Sequence, residues 1–190
     1  MGFQEGPQSG ECIGAMEPAA FLILRQLQES SFGSDFGKIC QSFVALALRE
    51  NGFDHVVNRL VEGVDIDASG NIGQFAIEVK TTEGREVLIG EKDIKGWKDR
   101  SRDRYAPVLA ALGISLLSEW TLCDATDLPK GTHRIQRLRL HGIAPLTNVV
   151  NSAFDRLVRR HVPDLLNLRN SSPLEHLRHL LEKAGVESED

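Results

Sequence analysis

Val64-Asp65-Ile66-Asp67-Ala68-Ser69-Gly70-Asn71-Ile72-Gly73-Gln74-Phe75-Ala76-Ile77-Glu78-Val79-Lys80 is the stretch on which the reading of this chain turns. Ser69 to Gly73 is a cluster of turn residues between two runs that alternate apolar and polar side chains, the pattern of a β-hairpin. A two-residue turn at Asn71-Ile72 sets Val64 opposite Val79, Ile66 opposite Ile77 and Ala68 opposite Phe75, so that one face is wholly apolar. The other face then carries Asp65 opposite Glu78 and Asp67 opposite Ala76, with Lys80 two residues beyond Glu78 on the same side. A slip of two residues would change the partners and keep the faces.

Two carboxylates opposed across a strand pair stand about 5 Å apart and repel each other. A hard divalent cation between them removes that repulsion, and Mg²⁺ commonly takes one or two carboxylates together with waters and phosphate oxygens. An ammonium beside them, here Lys80, suits an attacking water or the charge that develops on phosphorus. The plain alternative is an exposed polar face on which Lys80 neutralises Glu78, since Glu-x-Lys in a strand is common. Asp67 reads as a solvated carboxylate beside the turn, or as a further ligand on the acidic face.

Working outward, His55–Leu60 and Val64–Ala68 read as strands, as does Gln74–Thr81. Before them, Pro18–Ser30 reads as a helix. A second helix, capped by Ser34 or Asp35, runs through Phe36, Ile39, Phe43, Val44 and Leu46–Leu48 and stops at Asn51-Gly52. After the hairpin, Glu91–Asp103 reads as a helix and Ala106–Leu112 as a buried strand. Ser115–Cys123 and Arg134–Leu140 read as further strands and Pro145–Val162 as a helix. Ser172-Pro173-Leu174-Glu175 is a capping box for a last helix. The order predicts an α/β fold, a mixed central sheet flanked by helices, with a C-terminal helical extension. The expected organisation is a Gly-rich, disordered lead-in over residues 1–17, an α/β domain over 18–162 and the extension over 163–190.

The chain has 190 residues and a net charge of −5. Residues 92–104 nevertheless hold six Lys or Arg against three Asp, a net of +3, and residues 134–160 hold six Arg against Asp155, a net of +5. Local basic surfaces on an acidic chain suit phosphate contacts, or are simply solvated faces. Trp97 and Tyr105 interleave with the first basic run, and Trp97 reads as the core anchor of an amphipathic helix. Cys12, Cys40 and Cys123 lie far apart without metal or disulfide spacing, which fits a reducing cytoplasm. No apolar run reaches the roughly 18–20 residues of a membrane span, and the first 17 residues lack the basic start and apolar core of a signal peptide.

An Asp opening one strand, a tight hairpin and Glu78-Val79-Lys80 on the next resemble the PD-(D/E)XK nuclease superfamily, nearest to the archaeal Holliday junction resolvases and restriction-endonuclease-like repair enzymes. The Asp65-to-Glu78 interval, the basic helix at 91–103 and the apolar strand at 106–112 are similar to theirs. The resemblance spans about residues 36–113. It implies a restriction-endonuclease-like fold, and Mg²⁺, with Mn²⁺ as substitute, bound by Asp65, Glu78 and the Val79 carbonyl. Lys80 would position or activate water. In that family a Gly is followed four residues later by a metal-associated Glu; here Gly37 is followed by Gln41, an uncharged amide placed among the catalytic positions. Lys95, Lys98, Arg100 and Arg102 are the expected DNA contacts. The implied activity is endonucleolytic hydrolysis of DNA, resolvase- or repair-like, by a homodimer, because cutting both strands of a symmetric duplex takes two sites on a two-fold axis. A small type II restriction endonuclease is one alternative, and a non-cleaving nucleic-acid or protein binding module another.

Overall fold

The computed structural model describes residues 18–30, 35–59, 63–114, 119–168 and 172–189. Helices α1 (Pro18–Glu29) and α2 (Phe36–Glu50) precede β1 (Phe53–Arg59), β2 (Ile66–Gly70) and β3 (Gly73–Thr82). Then come β4 (Glu86–Ile89), α3 (Glu91–Ser101), β5 (Ala106–Gly113), β6 (Thr121–Asp124) and β7 (Gly131–Arg134). The chain continues through α4 (Ile135–Leu138), a 3₁₀ turn at Arg139–His141, α5 (Ala144–Leu166), α6 (Pro173–Ala184) and β8 (Glu187–Glu189). Six strands form one sheet in the order β6-β5-β3-β2-β1-β8, and β4 pairs with β7 in a separate two-stranded sheet. The pairs β3/β5 and β1/β8 are parallel, and the others in the large sheet are antiparallel. This is the mixed α/β sheet flanked by helices that the sequence predicts.

The hairpin keeps the predicted register, with Ile66 opposite Ile77, Asp67 opposite Ala76 and Ala68 opposite Phe75. Gly73 holds φ at 141° to leave the turn, and a Cβ there would meet the Phe75 ring at 2.9 Å, so only glycine serves. The ladder begins at Ile66, however, and Val64 and Asp65 lie in the bend before the strand. Strict alternation therefore fails at the end that matters most: Val64 joins the core on the opposite face from Ile66 and Ala68.

Both faces of the sheet are covered. Ile66, Ala68, Phe75, Ile77, Val108, Ala110, Leu112 and Leu122 pack with α1, α2, α5 and α6, with Phe43 edge-on to Phe154. On the other face Ala76, Leu109, Ala111 and Cys123 pack under Trp97 of α3, Val87 and Ile89 of β4, and Ile135 and Leu138 of α4. Gly96 allows α3 to come close, since a Cβ there would sit 3.1 Å from the carbonyl carbon of Gly63.

Several expectations need correction. The middle of the hairpin's polar face, at Asp67 and Glu78, is buried on the side that α3 covers rather than open to solvent. Asp67, read as solvated, has zero exposure. It accepts from Arg59 Nε at 2.8 Å and Arg100 Nε at 3.0 Å, a clamp that ties β1 and α3 to β2. Arg134–Leu140 is a strand only to Arg134. Ile135 and Leu138, three apart, then share the buried side of a helix, while Leu140 is 82% exposed. Residues 115–118 of the expected Ser115–Cys123 strand lie outside the described residues, as do Leu60, Ser34, Cys12 and the lead-in over 1–17. Neither Asp35 nor Ser172 makes a side-chain cap bond, although each helix starts where expected. The boundary at residue 163 falls inside α5, and the C-terminal helix packs into the main core through Leu177 and Leu181. Its following strand, β8, adds an unanticipated parallel edge to the sheet. Among the described residues no helix is long and apolar enough to cross a membrane.

The clamp gives a stability prediction. Asp67→Ala leaves two inward-turned guanidinium groups without their carboxylate, and should cost about 3 kcal/mol or more of unfolding free energy in urea. Lys95→Ala on the outer side of α3 should stay within about 0.5 kcal/mol of wild type in the same measurement.

Candidate active site

Four titratable side chains meet where β3 emerges between the start of β2 and the first turn of α3. Glu78 and Lys80 alternate with apolar neighbours on β3 and so point to the α3 side of the sheet. The Lys80 Nζ donates to Glu78 Oε1 at 2.6 Å and to Asp93 Oδ1 at 3.1 Å. Asp93 is the third residue of α3, and its Oδ2 accepts the Gly90 amide at 2.8 Å, closing the helix N-terminus. Asp65 reaches the cluster from the bend: its Oδ2 accepts the Val79 amide at 2.7 Å, taking the place of a strand partner beyond the end of the ladder. The structure thus brings Asp65, Glu78, Val79 and Lys80 together. The local cause differs from simple cross-strand pairing.

Electrostatically the cluster is under tension. Burial pushes the Asp65 carboxyl up to about 6, against the Val79 amide and Lys80, with Asp93 adding a little to the rise. Burial likewise pushes Glu78 up to about 8, helped by the charge of Asp65 and opposed by Lys80. The short Lys80–Glu78 ion pair is therefore too weak to offset loss of water. Lys80 loses solvation too, but Glu78 and Asp93 outweigh that and raise its pKa. Asp93, although also desolvated, is lowered overall by the Gly90 amide, by the Glu78 carboxyl and by Lys80. The second carboxylate oxygen of Glu78, Oε2, is buried and has no hydrogen-bond donor.

That orphaned oxygen, and two carboxyls whose ionisation burial opposes, are the features a hard cation satisfies. Among the described residues no three His, Cys, Asp or Glu converge as a metal centre. An ion here would draw on Asp65 and Glu78, with the Val79 carbonyl and water completing its shell.

The remaining predicted residues fare differently. Gln41 lies on α2, buried, with its Nε2 directed at Asn58 Oδ1 (2.8 Å), the Arg59 carbonyl (2.7 Å) and the Asp65 carbonyl (3.0 Å). Its nitrogen is committed to backbone and side-chain oxygens rather than turned to the cluster. Arg100, expected on DNA, is committed to Asp67 and Asp103 and lies 4.7 Å over the Tyr105 ring. Lys95, Lys98 and Arg102 project outward, Lys95 and Arg102 each paired with Asp99. A cleft of about 330 Å³ beside them is lined by Arg59, Val64, Lys92, Asp93 and Lys95 among others. The second basic segment is divided: Arg156 and Arg160 meet Glu50 across α5 and α2 on the far side of the sheet. Trp97 is the expected core anchor. Sequence reasoning missed Asp93, counting it only as one acid in a basic run. The usable signal was its place at the third position of a helix opened by Gly90.

No family model matches the sequence, and no curated protein matches it. Among solved structures the chain is similar to Hjc, a Holliday junction resolvase from the archaeal hyperthermophile Archaeoglobus fulgidus. Identity is 15%, the match covers 59% of this chain and 95% of that one, and the TM-score is 0.49.

The raised carboxyls have a pH consequence. Asp65 and Glu78 hold protons more tightly folded than unfolded, so their contribution favours folding at low pH and is lost as pH rises through about 6 and about 8. Asp93, being lowered, acts only in the more acidic range. In EDTA, the melting temperature of wild type should fall between about pH 5.5 and 9 more steeply than that of Glu78→Gln, which keeps the shape and cannot ionise. Parallel curves for the two proteins would contradict the assignment.

Proposed function

We propose that this protein is a metal-dependent endodeoxyribonuclease of the PD-(D/E)XK type, a cytoplasmic hydrolase with resolvase- or repair-like substrates. The observation that carries the reading is the convergence of Asp65 and Glu78 beside Lys80, with Glu78 Oε2 buried and without a donor. Mg²⁺, or Mn²⁺ in its place, would supply charge neutralisation on the scissile phosphate and lower the pKa of a bound water. The chain's own residues account for the rest. Asp65 and Glu78 would hold the ion, with the Val79 carbonyl at the β3 position between Glu78 and Lys80. Lys80 orients the attacking water and faces the negative charge that develops on phosphorus. Asp93, fixed by the Gly90 amide, keeps the Lys80 ammonium from collapsing wholly onto Glu78. The outward side chains of Lys95 and Lys98 lie on the helix that covers the cluster, with Arg102 just past its end, and support a duplex laid along α3.

The test is a cleavage assay on junction, flap, nicked and linear DNA with Mg²⁺ or Mn²⁺. Asp65→Ala, Glu78→Ala and Lys80→Ala should each lower the rate by about 10²-fold or more, because the three act as one unit. EDTA should abolish cleavage, and full activity in Lys80→Ala would sink the role given to it.

Paired strand cuts by this one site require a second copy, so the functional form is a homodimer. Light scattering at high micromolar protein should show twice the chain mass, or two chains plus one duplex when DNA is present. A monomer throughout would restrict the enzyme to single-strand cuts.

A further inference from the structure

Asp65 stands one residue outside the β2/β3 ladder, so sheet pairing alone does not fix it. Its carbonyl accepts from the Arg59 amide at 2.8 Å and from Gln41 Nε2 at 3.0 Å. The same Gln41 nitrogen reaches the Arg59 carbonyl and Asn58 Oδ1, so one buried amide from α2 joins the end of β1 to the bend that carries Asp65. Three oxygens surround a group with two hydrogens. Two of those oxygens are backbone carbonyls, which cannot exchange roles with a donor, so the side chain at 41 must donate. A carboxylate of the same length would bring a fourth acceptor into that nest and repel it.

We infer that Gln41 is a positioning residue: its amide nitrogen holds the Asp65 backbone so that the carboxylate meets the Val79 amide and faces Glu78. It rests on the reading of Asp65 as a site residue. Gln41 is thus not a weakened stand-in for an acidic ligand, and introducing the acid would damage the site rather than complete it.

The Val79 amide is the reporter, because its hydrogen bond goes to Asp65 Oδ2 and needs no metal. Residue-resolved hydrogen exchange in EDTA should be measured for wild type, Asp65→Ala, Gln41→Met, Gln41→Glu and Gln41→Lys. In Gln41→Met and Gln41→Glu the Val79 amide should exchange at least about tenfold faster, as in Asp65→Ala, while amides of β5 and β6 keep their protection. Gln41→Lys, which restores donors at similar length, should keep Val79 protected. If Gln41→Glu does not fold, the Met and Lys variants decide the question. Manganese titration followed by electron paramagnetic resonance supplies the second readout. Both donor-less variants should bind Mn²⁺ about tenfold or more weakly, the usual effect of losing a group that orients a ligand. Unchanged Val79 exchange in a folded Gln41→Met protein, or tighter Mn²⁺ binding in Gln41→Glu, would overturn the inference. Absence of Mn²⁺ binding in wild type would defeat the metal reading alone, and the exchange result would still judge Gln41.

Discussion

A carboxylate cannot be buried alone, and Asp67 is the place where this structure answers that constraint. It sits at zero exposure on the β2 face that α3 covers, and Arg59 and Arg100 close on it from β1 and α3. Removing a charge from water costs several kcal/mol, which paired and hydrogen-bonded partners offset only in a fixed geometry. The pairing therefore sets where α3 lies over the hairpin. Once α3 is there, Asp93 at its first turn comes to Lys80, and Glu78 loses most of its water. The clamp and the Asp65–Glu78–Lys80–Asp93 cluster occupy neighbouring positions on one sheet face, and the two differ in one respect. Asp67 has donors on both oxygens, whereas Glu78 has one oxygen with none.

That difference separates a satisfied ion pair from a cluster with one unsatisfied oxygen. Both are buried acids next to basic side chains, and proximity to a cation would not tell them apart. Asp67 is saturated, so it has nothing to offer a ligand. Glu78 keeps one buried oxygen without a donor, because the Lys80 ammonium is on its other oxygen and is shared with Asp93. The open valence is the feature that a metal and a phosphate would fill.

Much of this was legible in the hairpin. Alternation with a turn at Asn71-Ile72 set the register, and with it the faces of Ile66, Ala68, Phe75 and Ile77. Asp65, Glu78 and Lys80 were legible as a group because a period of two places them on one side. The same alternation misled where backbone pairing stops, at Val64 and Asp65, and at Leu138 and Leu140, two apart as in a strand, where a short helix buries Ile135 and Leu138 and leaves Leu140 exposed. Periodicity describes a chain already in a ladder and says nothing about where the ladder ends.

The sequence by itself determined the mixed α/β character, the hairpin and which acids share a face, since these follow from local propensity and from side-chain period. Only the tertiary structure decided which acids are buried, because exposure depends on α3 and the paired strands β4 and β7 arriving over the sheet from elsewhere in the chain. It also decided that Asp93 belongs with Lys80, that Arg100 is committed to Asp67, and that Gln41 turns a donor toward the Asp65 bend. Each of these contacts joins residues between 13 and 33 positions apart. A residue's type and its neighbours in sequence cannot specify a partner that only packing brings near.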